Sequence, residues 1–184
     1  MLNGTHLSFM NLFIRVLIVT IFGSFRSNLN WLEESLLYLQ VWPQDLDINR
    51  HVNNGRYLSL MDLGRRDLLI RTGMLRVMRR YKWSPVISAS SIAYLLPLHL
   101  WDKFYISSKI VCWDDKYLYY QQQFHKKDGQ VATVALLRAA FLSRDKQVVP
   151  IEKVFNEAGV PLNSPEWPEK IAKFVVLTNA LKAA

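Results

Sequence analysis

Residues 45–57 read DLDINRHVNNGRY, and the reading of this stretch decides the fold. Asp47, Asn49 and His51 stand at every second position. In an extended segment alternate side chains point the same way, so the three are expected to converge on one face. Asn53 and Asn54 come next, and asparagine is a strong helix cap. Over 55–71, Tyr57, Leu60, Met61, Gly64 and Leu68 recur at helical spacing, which predicts a helix with one buried stripe. Gly64 in mid-helix costs about 1 kcal/mol against alanine, so it is expected where the helix lies close against another backbone. Thr72 and Gly73 end the helix.

Working outward, SLLYLQVWP at 35–43 reads as a strand closed by Pro43. Beyond a basic connector, extended segments are expected at about 86–96, 103–113, 117–126 and 130–144. They are rich in valine, isoleucine, tyrosine and phenylalanine and are separated by PLHLWD, DD and KKDG turns. A short helix is expected near 152–158, and a longer one over 165–181 with Ser164 as cap and Pro165 at the first helical position. The order of strand, long helix and four strands predicts an α+β fold in which an antiparallel sheet wraps one central helix.

At 184 residues the chain accommodates one ordinary domain with an appendage. Its 51% hydrophobic and 21% charged content excludes a disordered chain or a coiled coil. A single cysteine, Cys112, excludes an intramolecular disulfide and a cysteine metal cluster, and reads as a small buried apolar residue. The net charge of +8 is local: between 65 and 82 stand Arg65, Arg66, Arg71, Arg76, Arg79, Arg80 and Lys82 against Asp67 alone. No glycine-rich phosphate loop, zinc-ligand spacing or RNA-recognition signature accompanies it, so no nucleic-acid partner is expected.

Residues 7–25, LSFMNLFIRVLIVTIFGSF, are the most hydrophobic stretch and contain Asn11 and Arg15. Spanning a bilayer takes about 20 mostly apolar residues, and a central arginine is costly there. Ser8, Asn11 and Arg15 share a helical face. That pattern suits a membrane anchor, spanning or interfacial, with Arg15 snorkelling to the headgroups, a helix packed on its own protein, or a targeting segment. Residues 1–26 are therefore a candidate anchor joined by a polar linker to a domain at 35–145, with a helical extension at 146–184. The expected location is the cytoplasm or the cytoplasmic face of a membrane.

DLDINRHVNNGRY at a strand–helix junction, with this strand order, resembles the hotdog-fold thioesterases of the 4-hydroxybenzoyl-CoA thioesterase and plant acyl-carrier-protein thioesterase type. HVNNGRYLSLMDLGR further resembles a subfamily of membrane-associated thioesterase-superfamily members. The resemblance implies a hotdog fold and hydrolysis of an acyl thioester. The substrate would be a fatty or aromatic acyl-CoA or an acyl-ACP; a non-catalytic lipid or acyl-CoA binder is the rival. It also implies a homodimer with sheets joined edge to edge, or a homotetramer, with active sites between protomers and no metal or organic cofactor.

Residue by residue, Asp47 matches the catalytic aspartate of the hydroxybenzoyl-CoA enzyme, and Asn54 matches its carbonyl-polarising helix amide. Asp47, Asn49 and His51 match the catalytic set of the plant enzymes. His51 departs from the first family, which has an aliphatic residue there, and Asp47 as nucleophile or as base stays open. Arg71, Arg79 and Arg80 are candidates for the phosphates of coenzyme A, and Tyr57 joins the substrate-binding set. The competing reading gives Asp47 and Asn49 turn hydrogen bonds and leaves the asparagines as caps. Asp62 is expected in an ion pair with Arg65 or Arg66.

Overall fold

The computed structural model describes residues 4–161 and 163–183. Helix α1 (Gly4–Gly23) precedes strand β1 (Ser35–Gln40) and a 3-10 turn at Pro43–Asp45. The central helix α2 (Asn54–Arg71) and the short α3 (Met74–Tyr81) follow. Then come β2 (Ser84–Tyr94), β3 (Lys103–Trp113), β4 (Leu118–Lys126), β5 (Val131–Leu142) and β6 (Val148–Val149). Helices α4 (Ile151–Ala158) and α5 (Glu169–Ala183) close the chain.

The strands form one antiparallel sheet in the order β1-β3-β4-β5-β2, with β6 paired to the end of β5. ATVALLRAAFL has the composition of a helix, yet it forms β5 because it is paired on both sides, with β4 and with β2. The Asp128-Gly129 turn sets its register: Lys126 N–H donates to Gln130 O at 2.8 Å, and Gly129 has φ +87°, a conformation that favours glycine.

The sheet curls around α2, as the hotdog resemblance implies. Leu60, Met61, Leu63 and Leu68 of α2 are buried with Ile106, Ile110, Leu118, Tyr120 and Phe124 of the sheet. Gly64 is a point of close approach between the two. A Cβ there would lie 2.6 Å from Ser108 Oγ, 2.9 Å from Gln122 Nε2 and 3.0 Å from Ile106 Cγ2. Those atoms belong to a buried network: Gln122 Nε2 donates to Met61 O (3.0 Å) and Ser108 Oγ (2.7 Å), and Arg65 donates to Gln122 Oε1 (2.7 Å). Neighbouring positions on the same strands face the other way. There Cys112 and Tyr119 pack under Ile171 and Phe174 of α5, so the sheet carries α2 on one face and α5 on the other.

Three expectations are corrected. The basic connector forms α3, whose Met74 and Met78 are buried while Arg76, Arg79 and Arg80 face solvent. Helix α5 begins at Glu169, because two prolines precede it; Ser164 instead accepts a hydrogen bond from the Trp113 N–H at 3.1 Å. Arg15 does not snorkel. It is 3% exposed and lies 2.7 Å from Asp45, which holds α1 against the domain, while the side chains of Ser8 and Asn11 lie outside the described residues.

The segment between α1 and β1 is pinned as well. Arg26 pairs with Asp67 at 2.9 Å, Leu29 N–H donates to Arg71 O at 3.0 Å, and Trp31 packs edge-on to Phe155. Among the described residues no helix is long and apolar enough to cross a membrane.

Candidate active site

Residues 47–51 do not form an extended strand. Leu46 bridges to Val52, Asp47 N–H donates to His51 O at 2.9 Å, and Arg50 N–H donates to Asp47 O at 3.1 Å, so residues 47–51 form a tight turn. Arg50 carries the reversal in the left-handed conformation, φ +62°. The expectation of one shared strand face is therefore corrected, but the turn still brings two of its three residues together. His51 Nδ1 lies 3.5 Å from Asp47 Oδ2 and 3.4 Å from Val52 O. Asp47 and His51 are 19% and 34% exposed, open enough for a substrate to reach.

Asn49 sits at the exposed turn tip, and its backbone N–H donates to Asp47 Oδ1 at 2.8 Å. This is the turn bond of the competing reading. It occupies one carboxylate oxygen, fixes the carboxylate plane and leaves Oδ2 facing His51.

The turn feeds directly into α2. Asn53 is its cap: the side-chain oxygen accepts from Gly55 N–H at 2.9 Å, and its carbonyl accepts from Arg56 N–H at 2.8 Å. Neither capping bond uses the Asn54 N–H, which opens the exposed positive end of an 18-residue helix dipole. A neighbouring carbonyl oxygen is polarised by such an end. Tyr94 Oη donates to Asn54 O at 3.0 Å and braces the helix start from β2.

The remaining site expectations fare unevenly. Tyr57 is a core side chain, edge-on to Tyr94 and Phe124, and burial raises its pKa. Arg71 is not available to a phosphate: it is buried, donates to Ser27 O at 2.9 Å and lies 3.7 Å from Asp67, while burial lowers its pKa. Asp62 pairs with Arg65, as expected. Only Arg79 and Arg80 of the three arginines remain exposed cations. They follow the C-terminal end of α2, about 27 Å along its axis from Asn54.

Two structural partners went unread in the sequence. Asp45, fully buried, accepts from Arg15, from Arg56 and from the Trp42 N–H, and its carbonyl accepts from Asn53 N–H. His99 bridges to His51, and Val52 N–H donates to Leu98 O at 2.9 Å. Asp45 had a signal, since it begins the same every-second-residue polar series as Asp47. His99, nearly fifty residues away, had none.

A groove of about 670 Å³ lined by Tyr38, Trp42, Lys103, Tyr105 and Lys127 lies at the β1 edge and does not include Asp47 or His51. The Asp47–His51 turn lies at the surface, with both side chains partly exposed.

Comparison with known proteins agrees with this architecture. Protein THEM6 of Xenopus laevis is 33% identical over 136 residues, 73% of this chain, and the chain spans 64% of that relative's length. Protein THEM6 of Drosophila melanogaster is 30% identical over 164 residues, 88% of this chain and 82% of its own. Among solved structures, the YbaW probable thioesterase from Escherichia coli superposes with TM-score 0.62 at 24% identity, covering 66% of this chain and 94% of that one. A Staphylococcus aureus protein in complex with CoA superposes with TM-score 0.61 at 19% identity, covering 79% and 96%. Likeness at these identities establishes a shared fold. The Thioesterase-like superfamily profile matches residues 41–175, which takes in β2 to β6, the central helix and the Asp47–His51 turn, so the chain belongs to that superfamily.

Proposed function

We propose that the chain hydrolyses an acyl thioester, taking a fatty or aromatic acyl-CoA to the free acid and CoA. The observation that carries this reading is the Asp47–His51 pair, 3.5 Å apart, in a turn that runs straight into the open N-terminus of α2. A thioester carbonyl seated at that helix end is polarised by the Asn54 N–H. Asp47 then either takes a proton from water as the oxygen adds to the carbonyl carbon, or adds directly to form an anhydride that water opens. The carbon–sulfur bond breaks, and the departing thiolate takes a proton, with His51 placed to relay it. CoA as carrier is supported by the CoA complex of a protein of the same fold.

Two further features support a complete assembly at a lipid surface. Strand β2 is an 11-residue sheet edge with Val86, Tyr94 and the following Leu95 exposed, the kind of edge that pairs with a second copy and builds the site between protomers. Helix α1 turns Phe13, Ile14, Leu17, Ile18, Ile21 and Phe22, 43–65% exposed, away from the domain. Arg76 and Arg79 line a groove with Thr20 and Ser24 at its end. Apolar residues on one side with cations nearby suit a helix lying in the headgroup layer, not crossing it. Sedimentation and vesicle flotation of the full chain read these two properties.

The direct test is thiol release across acyl-CoAs of graded chain length and aryl-CoAs, alongside matched acyl-ACPs. Hydrolysis of at least one acyl-CoA is expected. Binding of these thioesters with no turnover of any would replace the enzyme with a binding protein.

A further inference from the structure

Arg15 is a buried arginine on a largely apolar helix, and the bonds its guanidinium makes all go to the neighbourhood of the candidate site, while its Nη1 has no hydrogen-bond partner among the described residues. Its Nη2 donates to Asp45 Oδ2 at 2.7 Å and to Gln40 O at 3.1 Å, and its guanidinium stacks over Trp42 at 4.2 Å. Asp45 distributes that contact. Arg56 Nε reaches its Oδ1 at 3.0 Å, the Trp42 N–H reaches its Oδ2 at 2.9 Å, and the Asn53 N–H reaches its carbonyl at 2.9 Å. Asp45 is thus bonded to the end of the segment before the turn, to the α2 cap and to α1, and the next residues are Leu46 and Asp47. Leu46 and Val52, which close the turn, lie between Asp45 and Asn53 in the chain. Docking α1 alone would be served by another apolar side chain, as Val19 does one turn further along. Burying a guanidinium instead is costly, and burial lowers the pKa of Arg15 while Asp45 opposes that shift. In some proteins such ion pairs are kept because they specify a geometry.

We propose that Arg15 is a positioning residue: acting through Asp45, it sets the turn that aims Asp47 at the N-terminus of α2. The N-terminal helix is then part of the working site. This rests on the thioesterase reading for its kinetic consequences and on geometry alone for its structural ones.

The experiment uses the full chain with Arg15→Met, Arg15→Lys and, as a packing control, Val19→Ala. It measures kcat and KM on the best acyl-CoA and the amide hydrogen exchange of Asp47 and Asn53. Arg15→Met is expected to lower kcat tenfold or more with KM within twofold, and to speed exchange at both amides. Arg15→Lys, which keeps the charge and loses the fork, falls between Met and the parent. Val19→Ala loosens α1 but keeps kcat within twofold.

Parental kcat and parental exchange in Arg15→Met overturn the proposal, as does an equal kcat loss in Val19→Ala. If Arg15→Met does not fold, Arg15→Lys decides, and parental exchange at Asp47 and Asn53 in that variant overturns it. If the parent chain hydrolyses no thioester, the proposed function fails by itself, and exchange still decides whether Arg15 holds the turn.

Discussion

Adding one methyl group at Gly64 sets two known effects against each other. In a solvent-exposed helix Gly→Ala is stabilising by about 1 kcal/mol, because alanine loses less backbone freedom on folding. At position 64 the new Cβ would sit 2.6 Å from Ser108 Oγ and 2.9 Å from Gln122 Nε2, closer than real Cβ contacts come, and 3.0 Å from Ile106 Cγ2, which is tight. None of these is a free chain end. Ser108 and Gln122 are bonded to each other, and Gln122 is also bonded to Met61 O and Arg65, so a shift breaks buried hydrogen bonds as well as packing. Overpacking costs about 1–3 kcal/mol, and one stranded buried polar group costs about 1–3 kcal/mol more. The sum exceeds the propensity gain, and Gly64→Ala should destabilise by about 1–5 kcal/mol. Urea unfolding at constant slope measures it. Ser108→Ala removes the nearest atom, so in a double-mutant cycle it should recover about 1 kcal/mol of the loss. A Gly64→Ala protein about 1 kcal/mol more stable than the parent would refute the close approach of α2 to the sheet.

The other predictions concern exposed charge and the lone thiol. Arg79→Glu with Arg80→Glu should weaken partition onto anionic vesicles at least tenfold, since each exposed cation near such a surface is worth about 1 kcal/mol; unchanged partition with a raised KM for acyl-CoA would return the pair to the substrate phosphates. Cys112 is buried under α5 and burial pushes its thiol up to about 12 from 9.0, so it should resist disulfide reagents at pH 8 until the protein unfolds. Between these values the unfolded chain has lost the proton and the folded one keeps it. Stability should therefore fall from about pH 9 upward, by at most about 1.4 kcal/mol per pH unit; rapid labelling of the folded protein at pH 8 would contradict this.

Where local pattern and tertiary packing agree, the fold was legible. The α2 stripe, its asparagine cap and the Asp128-Gly129 hairpin all carry their geometry in a few neighbouring residues. Gly64 was readable as a close approach because a buried helix stripe gives up the propensity and packing of a larger residue only where a methyl group has no room. MLRVMRRY was not read as α3, since its cations mask two buried methionines one turn apart.

The turn at 47–51 shows the limit of period-two reasoning. A polar residue at every second position is equally the pattern of a strand face and of a turn in which Asp47 captures the Asn49 N–H. What decides is Arg50 in a left-handed conformation, which nothing in its side chain announces. The Arg15–Asp45 pair joins residues thirty apart. From sequence, Arg15 could only be weighed as a charge in an apolar helix, for which lipid headgroups are as good a partner as a buried carboxylate.

The central claim is that the Asp47 carboxylate, aimed at the α2 N-terminus, does the chemistry. Asp47→Asn keeps the side-chain shape and the oxygen that accepts from Asn49 N–H, and removes only the basic and nucleophilic character. Turnover of acyl-CoA by this variant, measured beside its folded state and its affinity for the substrate, tests the claim most directly. The expected result is a folded protein that binds substrate as before and turns over about 10²-fold or more slowly, the scale of a lost acid–base group. A folded Asp47→Asn protein that hydrolyses acyl-CoA at the parental rate would contradict it, and the turn would then be a helix entry and nothing more.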